Sequence, residues 1–253
     1  MMSVPLPVAP VAVVAAYRFV DVPDAAALRG RWLALAQRLQ LKGTVLLAPE
    51  GANIALAGSE AALREWFEAL AQDPRWAGLD IKWQRAAQMP FRRLHVKLKR
   101  EIIRMNQPAV RPAGGRAPGV DGPTLARWLQ DGRCDEGRPV VLLDTRNAFE
   151  VDAGAFEGAL DWRLSKFSDF PEALAAHADA LAGKTVVSYC TGGIRCEKAA
   201  LWMAQSGLPH VLQLDGGILR YFEDLPGAPH WRGHCVVFDD REALDTQLAE
   251  APA

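Results

Sequence analysis

A cysteine at the end of an apolar run is the residue in this chain with the clearest chemical potential. It lies in the segment Val186-Val187-Ser188-Tyr189-Cys190-Thr191-Gly192-Gly193-Ile194-Arg195-Cys196. The apolar run predicts a strand that delivers Cys190 to the carboxyl end of a sheet, and the glycines let backbone N–H groups turn towards its sulfur. A helix that begins near Arg195 directs its positive end at the same atom. These features favour a thiolate or a persulfide anion at Cys190.

The loop after this cysteine is short. Cys190 to Arg195 has the form C-x-x-G-x-R, one residue shorter than the C-x5-R loop with which cysteine phosphatases surround a phosphate. A tighter ring suits a terminal sulfur better than a phosphate. We interpret Cys190 as the catalytic residue, followed by an active-site loop of Thr191, Gly192, Gly193, Ile194 and Arg195. The alternative is a buried, inert cysteine that packs as a small apolar side chain.

A second cysteine follows six residues later. Cys196 lies at or just inside the predicted helix start, where it could resolve a persulfide or sulfenic acid on Cys190 by forming a disulfide. It could equally pack under the loop as a small buried residue, and the spacing does not separate the two roles. We interpret the remaining cysteines, Cys134 and Cys235, as structural because neither lies in a loop of this kind.

The sequence predicts neither a metal site nor a bound cofactor. His95 and His234 lack partners at the spacing of zinc or iron ligands. No G-x-G-x-x-G motif opens a helix after a strand, and no P-loop occurs.

Composition limits the class of protein. The chain has 253 residues, and half of them are hydrophobic, which is enough to form one large or two modest cores. Its net charge is −1. Irregularly spaced cysteines indicate free thiols in a reducing compartment. The lead from Met1 to Ala16 is interrupted by prolines and lacks a basic start, so we expect no signal peptide and no membrane span. A cytoplasmic protein is therefore expected.

Proline and glycine mark a domain boundary. Residues 107–119 offer little that could form a packed face, so we interpret them as a linker after a first domain of residues 1–106. Strand and helix patterns alternate in the first domain, and they predict a ferredoxin-like (acylphosphatase-like) α+β domain. The predicted elements are a strand over 11–19, a helix over 24–39, strands over 43–48 and 52–57, a helix from Ser59 to about 72, and strands over 80–85 and 94–103.

The pattern of residues 120–226 predicts a second domain with a parallel sheet flanked by helices. Residues 227–253 follow it as a tail. Ligands of such sheets bind outside the carboxyl ends of the strands, where Cys190 is expected. The predicted elements are helices over 122–129, 171–181 and 195–206 and strands over 139–143, 185–189 and 211–214.

The last predicted strand of the first domain is basic on one face. Leu94, Val96 and Leu98 alternate with Arg and Lys side chains, and residues 91–116 carry eight basic residues against one acid. Such a strip suits a phosphate backbone, without base specificity, although a solvated strand face gives the same pattern. The RNA-binding candidates are Arg92, Arg93, Lys97, Lys99 and Arg100.

Residues 120–226 resemble a rhodanese domain. The likeness rests on the D-x-R-x-x-x-E element at Asp144, on the run Gly154-Ala155-Phe156-Glu157-Gly158-Ala159, on the loop at Cys190 and on Leu214-Asp215-Gly216-Gly217. It implies that Cys190 is the residue that carries a persulfide. We interpret Asp144 and Arg146 as a structural ion pair.

Over residues 11–241 the chain is similar to the bacterial tRNA uridine hydroxylases. The supporting motifs are Glu50-Gly51-Ala52-Asn53-Ile54-Ala55, Phe91 to Ile102, Cys190 to Lys198 and Trp231 to Asp239. The resemblance implies an oxidoreductase that binds tRNA and uses dioxygen as co-substrate to form 5-hydroxyuridine at the wobble position. One hypothesis explains how the cysteine could take part in this hydroxylation: Cys190 attacks C6 of uracil and makes C5 electron-rich.

Two other functions fit the residues. A sulfurtransferase would use the same loop to carry sulfur from thiosulfate or a protein persulfide. A non-catalytic RNA-binding or redox-sensing module would use Cys190 only to detect oxidants. The oligomeric state is open.

Overall fold

The computed structural model describes residues 10–251. The first nine residues of the expected lead segment lie outside that range, as do the last two of the tail. None of the helices within 10–251 is both long enough and apolar enough to cross a membrane.

The first domain is built on a mixed sheet with two helices on one face. Its strand order is β4-β1-β3-β2-β5; β4, β1, β3 and β2 pair antiparallel, and β5 joins β2 in parallel at the edge. The predicted ferredoxin-like class is confirmed. The elements are β1 (Val11–Phe19), α1 (Ala25–Arg38), β2 (Lys42–Ala48), β3 (Gly51–Gly58), α2 (Glu60–Leu70), β4 (Lys82–Ala86) and β5 (Leu94–Leu98).

Helix α2 packs its apolar side against one face of this sheet. Ser59 caps it by accepting a hydrogen bond from the N–H of Ala62 (3.2 Å). Leu63, Trp66 and Leu70 recur at helical spacing and are almost fully buried against β1 and β3. The opposite face of the sheet is left for a different partner, the second domain.

The predicted strand over 94–103 is wrong beyond Leu98. The carboxylate of Glu101 accepts hydrogen bonds from the backbone N–H groups of Met105 (2.9 Å) and Asn106 (3.0 Å), so the chain turns there. Leu98 was expected on an apolar face, yet it is 47% exposed because it ends an edge strand. Val96, as predicted, is buried.

The second domain contains a parallel sheet in the order β6-β11-β10-β7-β9, with helices on both sides. This confirms the predicted architecture and places β10 in the centre. The elements are β6 (Gly119–Val120), α3 (Gly122–Asp131), β7 (Val140–Asp144), α4 (Ala148–Ala153), β8 (Gly154–Phe156), β9 (Leu160–Asp161), α5 (Phe170–His177), β10 (Thr185–Tyr189), α6 (Ile194–Gln205), β11 (Val211–Leu214), α7 (Gly217–Asp224), β12 (Trp231–Gly233), β13 (Cys235–Val236) and β14 (Ala243–Leu244).

Residues 107–119 pack more closely than the sequence suggests. Val110 and Ala117 are buried in the same cluster as Met203 and Val211 of the second domain. The expectation of little packing is therefore wrong at Val110 and Ala117, whereas Ala109 and Ala113 are exposed. The domain boundaries themselves stay predictions.

Candidate active site

Strand β10 and helix α6 place Cys190 at the end of the central strand. Tyr189 is the last residue of β10, and α6 begins at Ile194 with Gly193 as its N-cap. Gly193 has φ +101°, which a side chain would strain, and in this conformation its N–H donates to the Cys190 Sγ atom (3.2 Å). The expected cradle of strand, glycine turn and helix start is thus formed within the described structure.

The N-terminus of helix α7 also binds the backbone of the Cys190 loop. The N–H groups of Ile218 and Leu219 in α7 donate to the carbonyl oxygens of Cys190 (3.0 Å) and Thr191 (3.1 Å). Gly217 touches the same backbone so closely that a Cβ atom there would overlap the Cys190 carbonyl oxygen. This contact explains why the Gly216-Gly217 pair accompanies the cysteine loop.

Cys190 is poised to ionise. Burial opposes the charged form, but the hydrogen bond from Cys196, the positive charge of Arg195 and the backbone N–H groups of the α6 start outweigh it and lower the pKa of Cys190 to about 5. The thiol is therefore a thiolate at neutral pH. A buried thiolate held by fixed donors is a nucleophile and can also carry a terminal sulfur.

Cys196 has the opposite character. Its Sγ atom lies 3.9 Å from that of Cys190 and 3.0 Å from the carbonyl oxygen of Gly193. Burial and the adjacent Cys190 charge raise the pKa of Cys196 well above its ordinary value. It is therefore a neutral thiol, and its one S–H hydrogen lies within reach of the Gly193 carbonyl oxygen and of the Cys190 thiolate. A resolving role remains a prediction.

The guanidinium of Arg195 forms a buried ion pair with Glu150. Its guanidinium donates to both carboxylate oxygens of Glu150 in α4 (2.6 and 2.8 Å), and both side chains are buried. Burial raises the pKa of Glu150, but the hydrogen bonds and charge of Arg195 prevail and lower it. The side chain of Arg195 thus anchors the loop to α4 and acts on Cys190 through its charge.

The residues that follow join the two domains. Glu197 accepts a hydrogen bond from the Tyr17 hydroxyl of β1 (2.8 Å). Lys198, 2% exposed, donates to Glu50 (2.9 Å) and Glu101 (2.7 Å) of the first domain. The start of α6 therefore carries both the cysteine loop and the domain clamp.

The cysteine loop opens onto a cavity of about 640 Å³ between the domains. This volume lies within the range of about 300–1,000 Å³ typical of small-molecule sites. Its roof is the open face of the first-domain sheet, its floor the Cys190 loop, and one wall the turn between β13 and β14. Lining residues from these three parts include Val13, Ala15, Tyr17, Asn53, Cys190, Thr191, Phe238 and Arg241.

Comparison with known proteins agrees with this two-part architecture. Residues 11–102 match the UPF0176 acylphosphatase like domain, and residues 125–224 match the rhodanese-like domain. A solved rhodanese-like domain from Anabaena is similar over 46% of this chain and 79% of its own, at 20% identity and a TM-score of 0.37.

Full-length relatives are much closer. A tRNA uridine(34) hydroxylase of Bordetella petrii is 59% identical over 240 residues, which cover 95% of each chain. One from Variovorax paradoxus is 58% identical over 95% of this chain and 91% of its own. The chain belongs to the tRNA uridine(34) hydroxylase family. The predicted resemblance is thereby confirmed.

In this family member the basic strand shares a face with the cavity. Lys97 pairs with Leu46, and His95 pairs with Thr44. Paired residues on neighbouring strands point to the same face, and both Leu46 and Thr44 line the cavity. Lys97 therefore lies on the cavity side of the sheet, at its edge.

The other predicted RNA-binding residues are near this edge but not in the cavity lining. Arg93 precedes β5; Lys99 and Arg100 follow it; and all three are exposed. Arg92 lies 3.6 Å from Asp240 of the tail, in a weak, exposed ion pair. Arg104, which lay outside the predicted set, does line the cavity.

Asp144 and Arg146 form a structural pair, as predicted. Both are fully buried, the guanidinium donates to Asp144 (2.6 Å) and to the Gly154 carbonyl oxygen (2.6 Å), and neither residue lines the cavity. Within residues 10–251 no cluster of three or more His, Cys, Asp and Glu side chains could hold a metal ion.

Besides Arg104, sequence reasoning missed Tyr17, Phe238 and Arg241, which line the cavity. Tyr17 lies at the end of an ordinary strand pattern, and nothing in the sequence links it to Glu197. Phe238 and Arg241 belong to the tail; Phe238 falls within a segment already noted for its family likeness, and no pattern singled out Arg241. All three reach the cavity only because the domains fold against each other.

Proposed function

We propose that this protein hydroxylates uridine 34 of tRNA, with Cys190 as the catalytic residue. The observation that carries the proposal is the position of the Cys190 thiolate at the floor of a cavity enclosed by both domains and the tail. Family members bear the name of this reaction, and the cavity volume accommodates one nucleotide base with its ribose. Such a site requires the base to leave its stack, which a single-stranded loop permits at low cost.

The basic edge supports a nucleic acid as substrate. Arg93, Lys97, Lys99 and Arg100 are exposed, and no acidic side chain in residues 10–251 forms an ion pair with them. Exposed unpaired cations at the edge of a cavity suit the phosphates on either side of an inserted nucleotide. A tRNA substrate would place the reaction in the cytoplasm.

The proposed chemistry uses the thiolate to activate the base. The Cys190 sulfur adds to C6 of uracil, and the electron pair of the C5–C6 double bond moves onto C5 and O4. C5 then takes one oxygen atom from dioxygen, and the other oxygen leaves as water with two electrons and two protons from an external reductant. Loss of the C5 proton expels the thiolate and restores the double bond.

Two measurements test this function. Nucleoside analysis of tRNA from cells with and without the chain is expected to show 5-hydroxyuridine derivatives only where the chain is present. Purified Cys190→Ser protein, with an unchanged fold, is expected to lose hydroxylation in vitro. Unchanged hydroxyuridine in the cells would contradict the function, and full activity of Cys190→Ser would contradict the role of the cysteine.

The same loop could carry sulfur, because the Gly193 N–H would also stabilise a persulfide. Mass spectrometry after incubation with thiosulfate distinguishes this candidate. A stable one-sulfur adduct that is absent from Cys190→Ala, together with no effect of the chain on tRNA, would favour sulfur transfer.

A further inference from the structure

The turn of residues 237–242 forms one wall of the cavity. It joins β13 to β14 and reaches across to the first domain, where the Asp240 N–H donates to the Pro90 carbonyl oxygen (3.0 Å). Val237, Phe238, Asp239 and Arg241 all line the cavity. The tail thus closes one side of the site and contacts both domains.

Phe238 presents an aromatic ring at the mouth of the cavity. Its surface is 67% exposed, and that of its neighbour Phe149 in α4 is 54% exposed. The two rings meet edge to face, with centroids 6.4 Å apart and an interplanar angle of 85°. The edge-to-face contact supports the two rings while most of the Phe238 side chain stays exposed, so a partner can reach it.

Arg241 lines the cavity and carries a donor without a partner. It is 6% exposed, and its Nε and Nη2 atoms donate to the Asp239 carboxylate (2.7 and 2.6 Å). Its Nη1 atom is buried and has no hydrogen-bond partner. A buried N–H group without a partner is costly, so this atom is available to an acceptor that the site receives.

The charge of this pair defines the acceptor. Asp239 neutralises Arg241, so this pair offers no net positive charge to a phosphate. A neutral carbonyl oxygen fits a neutral donor pair. The phosphates are better matched by the exposed cations at the rim, among them Lys97 and the cavity-lining Arg104 and Lys166.

We propose that the 237–242 turn is a nucleobase-binding element: Phe238 stacks on a base at the cavity mouth, and Arg241 Nη1 donates to a carbonyl oxygen of the pyrimidine inside. The proposal rests on the proposed function, since it specifies how an RNA loop is held at that site. Stacking tolerates any neighbouring base, whereas a donor aimed at O4 selects uracil over cytosine, which carries an amino group there.

The stacking step is tested with a short RNA hairpin that carries 2-aminopurine next to a loop uridine. Wild-type protein is expected to change the 2-aminopurine fluorescence through contact with Phe238. Phe238→Trp retains a stacking face and is expected to bind as wild type does, whereas Phe238→Leu keeps apolar bulk and is expected to bind about tenfold more weakly or worse. Because Phe238 is exposed, both variants are expected to fold.

The outcomes separate the two proposals. Equal binding and equal fluorescence changes for Phe238→Leu and wild type would overturn the stacking role, even if the wild-type protein hydroxylates tRNA. A wild-type protein that binds the hairpin but leaves uridine unchanged in the presence of oxygen and reductant would overturn the function and leave the binding element standing. No binding by wild type would overturn the binding element.

The hydrogen-bonding step is tested with Arg241→Lys. Lysine can still pair with Asp239 but cannot also donate from the Nη1 position, so KM for the uridine hairpin is expected to rise about tenfold, with a smaller change in kcat. The preference for a uridine over a cytidine hairpin in binding is expected to fall by a similar factor. The control is Arg127→Lys, in an exposed ion pair of α3. Unchanged KM and unchanged base preference in folded Arg241→Lys would overturn the role of Arg241.

Discussion

The sulfur atoms of Cys190 and Cys196 lie 3.9 Å apart, yet their surroundings shift the two pKa values in opposite directions. Backbone N–H groups and the Arg195 charge act on Cys190, whereas Cys196 is buried beside a charge of like sign. The single S–H hydrogen of Cys196 lies within reach of both the Gly193 carbonyl oxygen (3.0 Å) and the Cys190 sulfur. The second cysteine tunes the first even if no disulfide ever forms.

Removal of that donor is expected to make Cys190 harder to ionise. In Cys196→Ala the hydrogen bond to the thiolate is lost, so the pKa of Cys190 rises from about 5 towards its ordinary value. The pH profile of Cys190 alkylation by iodoacetamide should shift to higher pH, and Cys196→Ser, which keeps an O–H donor, should shift less. Superimposable profiles for wild type and Cys196→Ala would show that Cys196 only fills space.

The lowered pKa of Cys190 also predicts how folding stability depends on pH. The folded thiol ionises near pH 5 and the unfolded thiol near about pH 8.5. Between these values the unfolded state binds the extra proton, so the free energy of unfolding rises with pH there, and this contribution disappears as pH falls through about 5. Urea unfolding of wild type and Cys190→Ala should show a stability difference that grows from pH 5 to 8. A difference independent of pH would contradict the ionised state.

Local patterns were sufficient to predict the conformation of the Cys190 loop. A strand ending in cysteine, two glycines and an amphipathic helix are consecutive in sequence, and each is decided by near neighbours. The expectation failed at Leu98, where alternation alone could not show that β5 is an edge strand ending at that residue. Beyond that residue the Glu101 carboxylate accepts hydrogen bonds from the backbone N–H groups of Met105 and Asn106, and strand alternation gives no sign of this turn.

The contacts that complete the site are distant in sequence. Arg195 meets Glu150 across 45 positions, and Tyr17 meets Glu197 across 180. Sequence spacing carries no information about such pairs, because the first forms only when the second domain folds and the second only when the two domains are in contact. The cavity and its tail wall were unpredictable for the same reason.

The interdomain clamp is expected to contribute strongly to stability. Lys198→Met would remove the charge that both Glu50 and Glu101 face, and those carboxylates are only 19% and 21% exposed. Loss of one partner of a buried pair costs about 3–5 kcal/mol, whereas loss of an exposed pair costs about 0–1 kcal/mol. Urea unfolding should therefore show a large loss for Lys198→Met and little for Arg163→Met, whose pair with Asp152 is exposed. Equal losses would mean that the clamp does not hold the domains.

The basic edge is expected to act through phosphate contacts. Lys97→Gln should weaken RNA binding by a similar factor for every sequence, because a phosphate contact carries no base information. The slope of log K against log salt should shrink by about 0.7, the contribution of one single-stranded phosphate. Lys184→Gln is the matched control, since Lys184 directly precedes β10, at the opposite end of that strand from Cys190. Fluorescence anisotropy of a labelled anticodon-type hairpin over a range of salt concentrations measures both slopes, and an unchanged slope for Lys97→Gln would remove this strand from the RNA-binding surface.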